Sequence, residues 1–464
     1  MKKYRRFANL IASAAIIASI AAVPMSASAA TTYSSTLTTI DALKTTTLDK
    51  YLVMKADANV PNAQFTFSVT SGAPVTADKE NGTLAVLAGV GTPVLTNSTM
   101  TFSTADTATL ESAKGTDTPV FLTEDTSDEK YVKQTLTLDF SGVKFTEPGV
   151  YRYIITETGT NQGVTNGYID ASTASTDRTL DVYVKDAGTT VADGEDAGKP
   201  QLMIEDYVMY NGKQTGAPKA EANETAAAPN NGAEVAGATK NNTITNMYSS
   251  QDLTFSKTVT GNQGSKDKYF AFTVEISGAV AGTVYDVSYA DDNNANTTDG
   301  NADTMISAIP NSATTCITSN VTQPAALTVG NDGTVTQVFY LQHGQSIAIR
   351  GLAEGTSYTI TEDPEDYSDS ATVTGDTKTQ DKTNTGTEEE PVMGSDISYS
   401  NHQIADTYIS GDTVAAFTND RSGVIPTGIL TTVAGSLGIV AVGAVGVTCG
   451  MIYMKKKKSE DEEE

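Results

Sequence analysis

The sequence predicts an all-β protein, two tandem immunoglobulin-like β-sandwich domains, with N-terminal signal and C-terminal transmembrane helices at its two ends. Three observations predict it. Between the termini apolar residues alternate with polar ones at period two, and no long 3.6-residue period interrupts them. The alternating positions are filled by β-branched and aromatic side chains, which suit a pleated, half-buried surface. Finally, a set of landmarks in the first half recurs in the second at nearly the same spacing.

Taken in order, residues 1–29 read as a signal peptide. Lys2, Lys3, Arg5 and Arg6 form a basic start, an apolar run covers 7–23, and Ala27-Ser28-Ala29 supplies the small-x-small cleavage site. The first domain, 30–250, contains the alternations Phe65, Phe67, Val69; Leu136, Leu138, Phe140; and Leu180, Val182, Val184. The second, 251–421, repeats the habit with Leu253 and Phe255, then Phe270, Phe272, Val274 and Ile276, then Ile347 and Ile349. Residues 211–240, rich in Ala, Asn, Gly and Pro, predict a mobile surface insertion. The Asp/Asn/Gly cluster at 291–303 lacks the EF-hand ligand spacing and reads as a solvated loop rather than a calcium site. Residues 374–395, with three consecutive glutamates, read as another acidic loop.

The last segment, 422–464, has three parts. Ile425-Pro426-Thr427-Gly428 comes first, followed by 26 uncharged residues at 429–454, long enough to cross a bilayer. Lys455 to Lys458 supply a positive-inside stop before a short acidic tail.

Composition narrows the function classes. The chain of 464 residues carries 30 Lys+Arg against 56 Asp+Glu, a net charge of −26, which argues against nucleic acid as a partner. Two histidines leave almost no room for a His-ligated metal or a His-based triad, and neither cofactor nor metal is predicted. The absence of Trp excludes a tryptophan-lined sugar site. With Cys449 in the apolar span, Cys316 stands alone outside it, so no internal disulfide can close. Stability has to come from large cores or from another crosslink.

The repeated landmarks suggest which one. Each half opens with a strand ending in lysine, Lys50 and Lys257. Each has a late aromatic strand ending in Thr-Glu, at Glu157 and Glu362, and each closes with a strand ending in asparagine, Asn246 and Asn419. Lys to Glu spans 107 residues in one half and 105 in the other; the Glu to Asn gaps, 89 and 57, differ by an amount the 211–240 insertion accommodates. A tandem duplication of one domain is the reading. Burial favours the neutral forms of an amine and a carboxyl, making the lysine a nucleophile and the acid a proton donor to the Asn amide. Held in contact, oriented groups reach effective molarities of about 10⁵–10⁸ M, and the expected product is a Lys–Asn amide with loss of ammonia. Lys55 is an alternative amine to Lys50. Lys50 is preferred because its Thr-Leu-Asp-Lys strand matches that of Lys257, and because Leu48 shares its face.

These motifs resemble the backbone pilins of Gram-positive bacteria, specifically the streptococcal-type pilin isopeptide-linkage domain present twice. The most specific string is Glu147-Pro148-Gly149-Val150-Tyr151-Arg152-Tyr153-Ile154-Ile155-Thr156-Glu157, followed by Tyr168 and Asp170. The second domain departs from it, with Glu354-Gly355-Thr356-Ser357-Tyr358 in the corresponding place. The resemblance implies crosslinks Lys50–Asn246 and Lys257–Asn419, promoted by Glu157 and Glu362. The C-terminal segment resembles a cell-wall sorting signal, which implies that a sortase cuts between Thr427 and Gly428 of the Ile425-Pro426-Thr427-Gly428 motif. It further implies that Lys240 is the candidate amine joining one subunit to the Thr427 of the next. Implied partners are a sortase, identical pilin subunits and peptidoglycan, with host surface ligands left open. The implied location is the cell surface, reached through a membrane-anchored precursor.

The expected function is therefore that of a structural shaft subunit of a sortase-assembled pilus, not an enzyme beyond single-turnover bond formation. A non-polymerised cell-wall-anchored adhesin shares every feature except a role for Lys240. A secreted hydrolase would need paired carboxylates, for which Glu147 and Glu157 are candidates, together with a substrate platform that the sequence lacks.

Overall fold

The computed structural model describes residues 31–34, 37–38, 43–78, 80–121, 129–159, 168–170, 176–218, 238–291, 308–309, 321–379 and 399–424. The expected signal peptide, the Ile425-Pro426-Thr427-Gly428 motif, the transmembrane span, Cys316 and Cys449 lie outside them. Among the described residues no helix is long and apolar enough to cross a membrane.

The regular structure of the described residues is nearly all strand, as the period-two alternation predicts, and it buries two large apolar cores in sequence order. In the first sandwich, Thr45–Lys55 lies at the centre of one sheet. It is antiparallel to Glu129–Asp139 on one side and parallel to Thr243–Tyr248 on the other, with Tyr168–Asp170 beyond. The opposing sheet runs Pro200–Asn211, Asp177–Thr190, Gly149–Gly159, Ala63–Ser71, Thr99–Phe102. Leu48, Leu52, Leu136 and Ile244 from one sheet meet Phe65, Phe67, Tyr153 and Leu180 from the other in a single buried cluster. Each fully buried side chain of this size contributes about 1.5–3 kcal/mol, so this cluster dominates the stability of the half.

The second sandwich reaches the same layering by a different route. Ser250–Thr260 is flanked by Gln345–Ala353 and by the 18-residue strand Gln403–Asp420. Residues 413–420 of that long strand run parallel to Ser250–Thr260. Its earlier part pairs antiparallel with Ser357–Asp363, which leads on to Phe270–Ser277 and Val335–Leu341. One continuous ladder therefore folds over the core where the first half uses two sheets.

In both halves the last strand lies parallel to the first. No short turn can make that connection, so the contact between them is long-range by construction.

Two expected loops are shorter than the composition suggests. The stretch 374–395 begins as strand, because Ser368–Thr379 pairs with Gln403–Asp420. The ends of the 211–240 insertion are tied down: Gly212 donates to Asp177 O at 2.9 Å, Asn211 to Thr239 O at 2.9 Å, and the Arg152 guanidinium to the carbonyls of Gln214 and Gly216. Polar composition marks solvent exposure, and a backbone can be exposed on one side and still laddered on the other.

The junction between the sandwiches is packed. Tyr248 donates its hydroxyl to Gly351 O at 2.8 Å, and Ala353 joins the first core. Arg350 bridges Asp57 and Asp252 at 3.1 and 3.0 Å, while Asn62 donates to Ala281 O at 2.7 Å. Gly351 has φ +78, and a Cβ there would sit 3.1 Å from Ala58 Cα, so only glycine permits this approach without displacing a neighbour.

Candidate functional site

Alternation sets the geometry. Leu48, Lys50 and Leu52 point into the first core, and Phe255, Lys257 and Val259 into the second, so each lysine replaces an apolar residue on an inward-facing row. Lys50 is 0% exposed and Lys257 1%. A lone buried ammonium costs several kcal/mol, and neither is alone.

Lys50 Nζ lies 2.7 Å from Glu157 Oε2 and donates to Asn246 Oδ1, with the Phe65 ring centroid 4.0 Å away. Lys257 Nζ lies 2.5 Å from Glu362 Oε1, which also accepts from Asn419 Nδ2 at 2.8 Å; the rings of Phe270 and Phe272 stand 4.7 and 5.9 Å from the amine. Glu157, Glu362, Asn246 and Asn419 are all buried. Lys55 is elsewhere: its amine reaches Gln251 and Asp412 at the junction.

The register is the same in both halves. Asn246 pairs with Leu52, two residues beyond Lys50, and Asn419 pairs with Val259, two beyond Lys257. Glu157 pairs with Phe67, two beyond Phe65, and Glu362 with Phe272, two beyond Phe270. A shift of one residue on any of these strands would turn its member of the site out of the core.

Burial shifts both members of the second pair toward their neutral forms. Burial pushes the Lys257 amine down to about 8, against the pull of the Glu362 carboxylate. Burial also raises the Glu362 carboxyl, with Lys257 acting the other way. Both displacements run toward neutral amine and protonated acid. Among the described residues, Glu362 Oε2 and Asn419 Oδ1 are buried without a hydrogen-bond partner, a cost that natural cores rarely carry without a use.

The other predicted residues fall apart from these clusters. Lys240 is exposed and bridges Tyr210 at the end of the Thr243–Tyr248 strand away from the junction. Glu147 is exposed whereas Glu157 is buried, so the two form no cleft pair.

Sequence reasoning missed two buried arginines. Arg178, 0% exposed, donates to Thr243 O at 3.1 and 2.5 Å and so anchors the start of the asparagine strand to the opposite sheet. Arg152 makes a two-pronged pair with Asp181, both bonds 2.7 Å. Arg178 carried a signal, a charged residue on the same row as Leu180 and Val182, as Lys50 stands between Leu48 and Leu52; Arg152 lies on the other face of its strand, on the row of Val150, and carried none.

Fold and sites together define a class: tandem all-β sandwiches, each with a lysine, a glutamate and an asparagine enclosed between its first and last strands. A curated pilin of Streptococcus pyogenes serotype M1 is 24% identical over 427 residues, covering 91% of this chain and 93% of that protein. The resemblance to Gram-positive major pilins read from the sequence is thereby borne out. Residues 251–403 match a domain family described only as a domain of unknown function, DUF7601. Among solved structures, the major pilin from S. pyogenes covers 82% of this chain and 99% of its own, at 20% identity and a TM-score of 0.41. A pilus-presented adhesin covers 54% of this chain and 38% of its own, at 17% identity and a TM-score of 0.21.

Proposed function

We propose that the chain is the shaft subunit of a sortase-assembled surface pilus, built from domains 30–250 and 251–421 that each close an internal Lys–Asn amide. The observation that carries this reading is the recurrence of one buried Lys–Glu–Asn cluster at one register in two sandwiches whose sheets are connected differently. Chance burial of three polar groups would not repeat in that way.

The chemistry follows from the contacts. Neutral lysine Nζ attacks Cγ of the asparagine while the protonated glutamate hydrogen-bonds the amide oxygen and steadies the developing oxyanion. The Nζ–Cγ bond forms, a proton passes through the carboxyl from Nζ to the amide nitrogen, the Cγ–Nδ2 bond breaks, and ammonia leaves. In the second site Asn419 presents its NH2 to Glu362; half a turn of the amide brings its oxygen to the acid.

Polymerisation is assigned to Thr427 and Lys240. A sortase cysteine would hold Thr427 as an acyl group until the Lys240 amine of the next subunit displaces it. Topology supports a head-to-tail chain. The asparagine strand of the first sandwich runs from Lys240 toward the junction, and Ser250–Thr260 carries on from it. Residues 413–420 run parallel to Ser250–Thr260 and end at Arg421, at the far end of the second sandwich. Tension entering at Lys240 then follows residues 240–257, crosses the Lys257–Asn419 bond and leaves toward Thr427.

The test is the intact mass of the exported chain against its calculated mass, with peptide mapping. Two missing ammonia molecules, mapped to Lys50–Asn246 and Lys257–Asn419, are expected; none missing would overturn the crosslink. Heat- and detergent-resistant multimers that vanish with Lys240→Ala are expected on the cell surface. A single wall-linked species would make the chain an anchored adhesin.

A further inference from the structure

Beside the second site stands a carboxylate that the chemistry above does not use. Asp369 pairs directly across the ladder with Asn419, and facing residues of an antiparallel pair have Cβ atoms about 4.5–5.5 Å apart. It shares a strand face with Ala371 and Val373, which pack against the second core. Its side chain is 12% exposed, while Glu362 and Lys257 behind it are sealed. Two groups fix it: Tyr399 donates its hydroxyl to Asp369 Oδ2, and His402 Nδ1 lies 2.7 Å from the same oxygen.

The holder is itself strained. Asn401 and His402 form a two-residue hairpin with φ +53 and +63, a conformation usually left to glycine or asparagine. His402 also accepts the Glu362 backbone N–H at its carbonyl, 2.9 Å away. The residue that grips Asp369 thus grips the strand of the acid too. Backbone strain kept at such a point is an observation that asks for a use.

The arrangement has a counterpart. Tyr168-Ile169-Asp170 and Tyr367-Ser368-Asp369 share the order Tyr-x-Asp, and Asp170 occupies the register position opposite Asn246 that Asp369 occupies opposite Asn419.

We propose that Asp369, pinned by Tyr399 and His402 across from Asn419, is a positioning residue for bond formation: a fixed negative charge that sets the pH range over which the Lys257–Asn419 bond closes. This rests on the crosslinking reading above.

Burial alone would push the Asp369 carboxyl up, but the hydrogen bonds from Tyr399 and His402 carry it below the usual range, so it stays ionised. The Tyr399 hydroxyl, raised by burial and by Asp369, stays a donor. The other groups that feel Asp369 are Lys257 and Glu362, and its charge raises both. Bond formation needs neutral Lys257 and protonated Glu362, which gives a bell-shaped dependence on pH. A negative charge moves both limbs the same way, toward higher pH. Mere packing by Asp369 would change the height of the bell and leave its position alone.

The experiment is pulse-labelled cell-free synthesis of the full chain, chased at pH 5 to 10, with both crosslinked peptides quantified by mass spectrometry. In the unaltered chain the Lys257–Asn419 peptide should appear; its absence at every pH would remove the crosslinking reading itself. In Asp369→Asn the whole bell is expected to move about one unit to lower pH, with the Lys50–Asn246 bond of the same molecules unchanged as a control for folding. Asp369→Glu is expected to move it back. An unshifted bell in Asp369→Asn, or one that stays shifted in Asp369→Glu, would overturn the proposal. Should Asp369→Asn fail to fold, Asp369→Ser, which removes the charge and leaves a smaller polar side chain, is expected to shift the bell the same way. No shift there would count against the proposal equally.

Discussion

The two lysine strands hold the same buried Lys–Glu–Asn cluster in different surroundings. Thr45–Lys55 is buried on both faces: Leu48, Lys50 and Leu52 turn to the main core, while Tyr51 and Val53 turn outward into a second cluster with Tyr131 and Phe121. Ser250–Thr260 is buried on one face around its lysine, with Ser256 half-buried and Thr258 exposed. The sheets differ as well, two separate ladders in one half and one folded ladder in the other. What stays fixed is the register of three strands. The site is therefore specified by pairing, and covers and connections around it are free to vary.

The sharpest way to break this equivalence is mechanical. If tension enters at Lys240 and leaves at Thr427, the Lys257–Asn419 bond lies in the load line and the Lys50–Asn246 bond does not. Single-molecule pulling between those two points should extend the Asn419→Ala chain by about 160 residues, on the order of 500 Å, when the second sandwich yields. Asn246→Ala should add no such extension. Equal lengthening in both variants would show that the force takes another path.

Thermodynamically the two bonds should be alike. Their partners lie 196 and 162 residues apart, and loop-closure entropy grows only with the logarithm of loop length. By analogy with disulfides, each bond should stabilise its half by about 5 kcal/mol. Calorimetry of Asn246→Ala and Asn419→Ala should show comparable losses, each confined to one half. A difference of several kcal/mol would mean that the surroundings of the two sites, rather than the crosslinks, set their stability.

The double cover of the first lysine strand gives a smaller contrast. The Phe121 ring packs edge-on against Tyr131, centroids 6.4 Å apart, and Tyr131 against Tyr51 at 5.5 Å. Phe121→Ala should destabilise the first sandwich by about 2 kcal/mol, less than a fully buried phenylalanine would lose. Hydrogen exchange should rise along Thr45–Lys55 and remain unchanged along Ser250–Thr260. An equal rise in both strands would show that the outer cluster does more than cover its own half.

Much of this was legible in the sequence because the informative residues break a pattern. A lysine amid Leu48 and Leu52, or a glutamate ending an aromatic run, is visible as an exception to period two. The repeated order Lys, Glu, Asn located both clusters before any coordinate was known. Register was not legible: that Asn246 sits opposite Leu52 depends on a parallel pairing across nearly 200 residues, which no local signal encodes. Nor was the outer cluster, since in a strand buried on one face the row of Tyr51 and Val53 would face solvent, and the covering Tyr131 and Phe121 are far away in sequence. Asp369 was hidden for a related reason. An aspartate followed by polar residues looks like a loop until Gln403–Asp420 is placed beside it.

The smallest effect concerns pH and the uncrosslinked second half. In Asn419→Ala the bond cannot form, and Lys257 remains a titratable amine in the core. Burial holds it at about 8 in the folded chain, below the ordinary lysine value of 10.5. Between those two values the unfolded chain binds more protons than the folded one, so stability rises as pH rises from about 8 toward 10.5. Glu362, raised in the folded state, works oppositely at lower pH, where stability falls as pH climbs from its unfolded value through its folded one. Denaturant melts of Asn419→Ala should therefore gain stability between pH 8 and 10, and adding Lys257→Met should flatten that limb. A limb that survives in the double variant would belong to another group, and the neutral amine at the centre of the chemistry would lose its thermodynamic support.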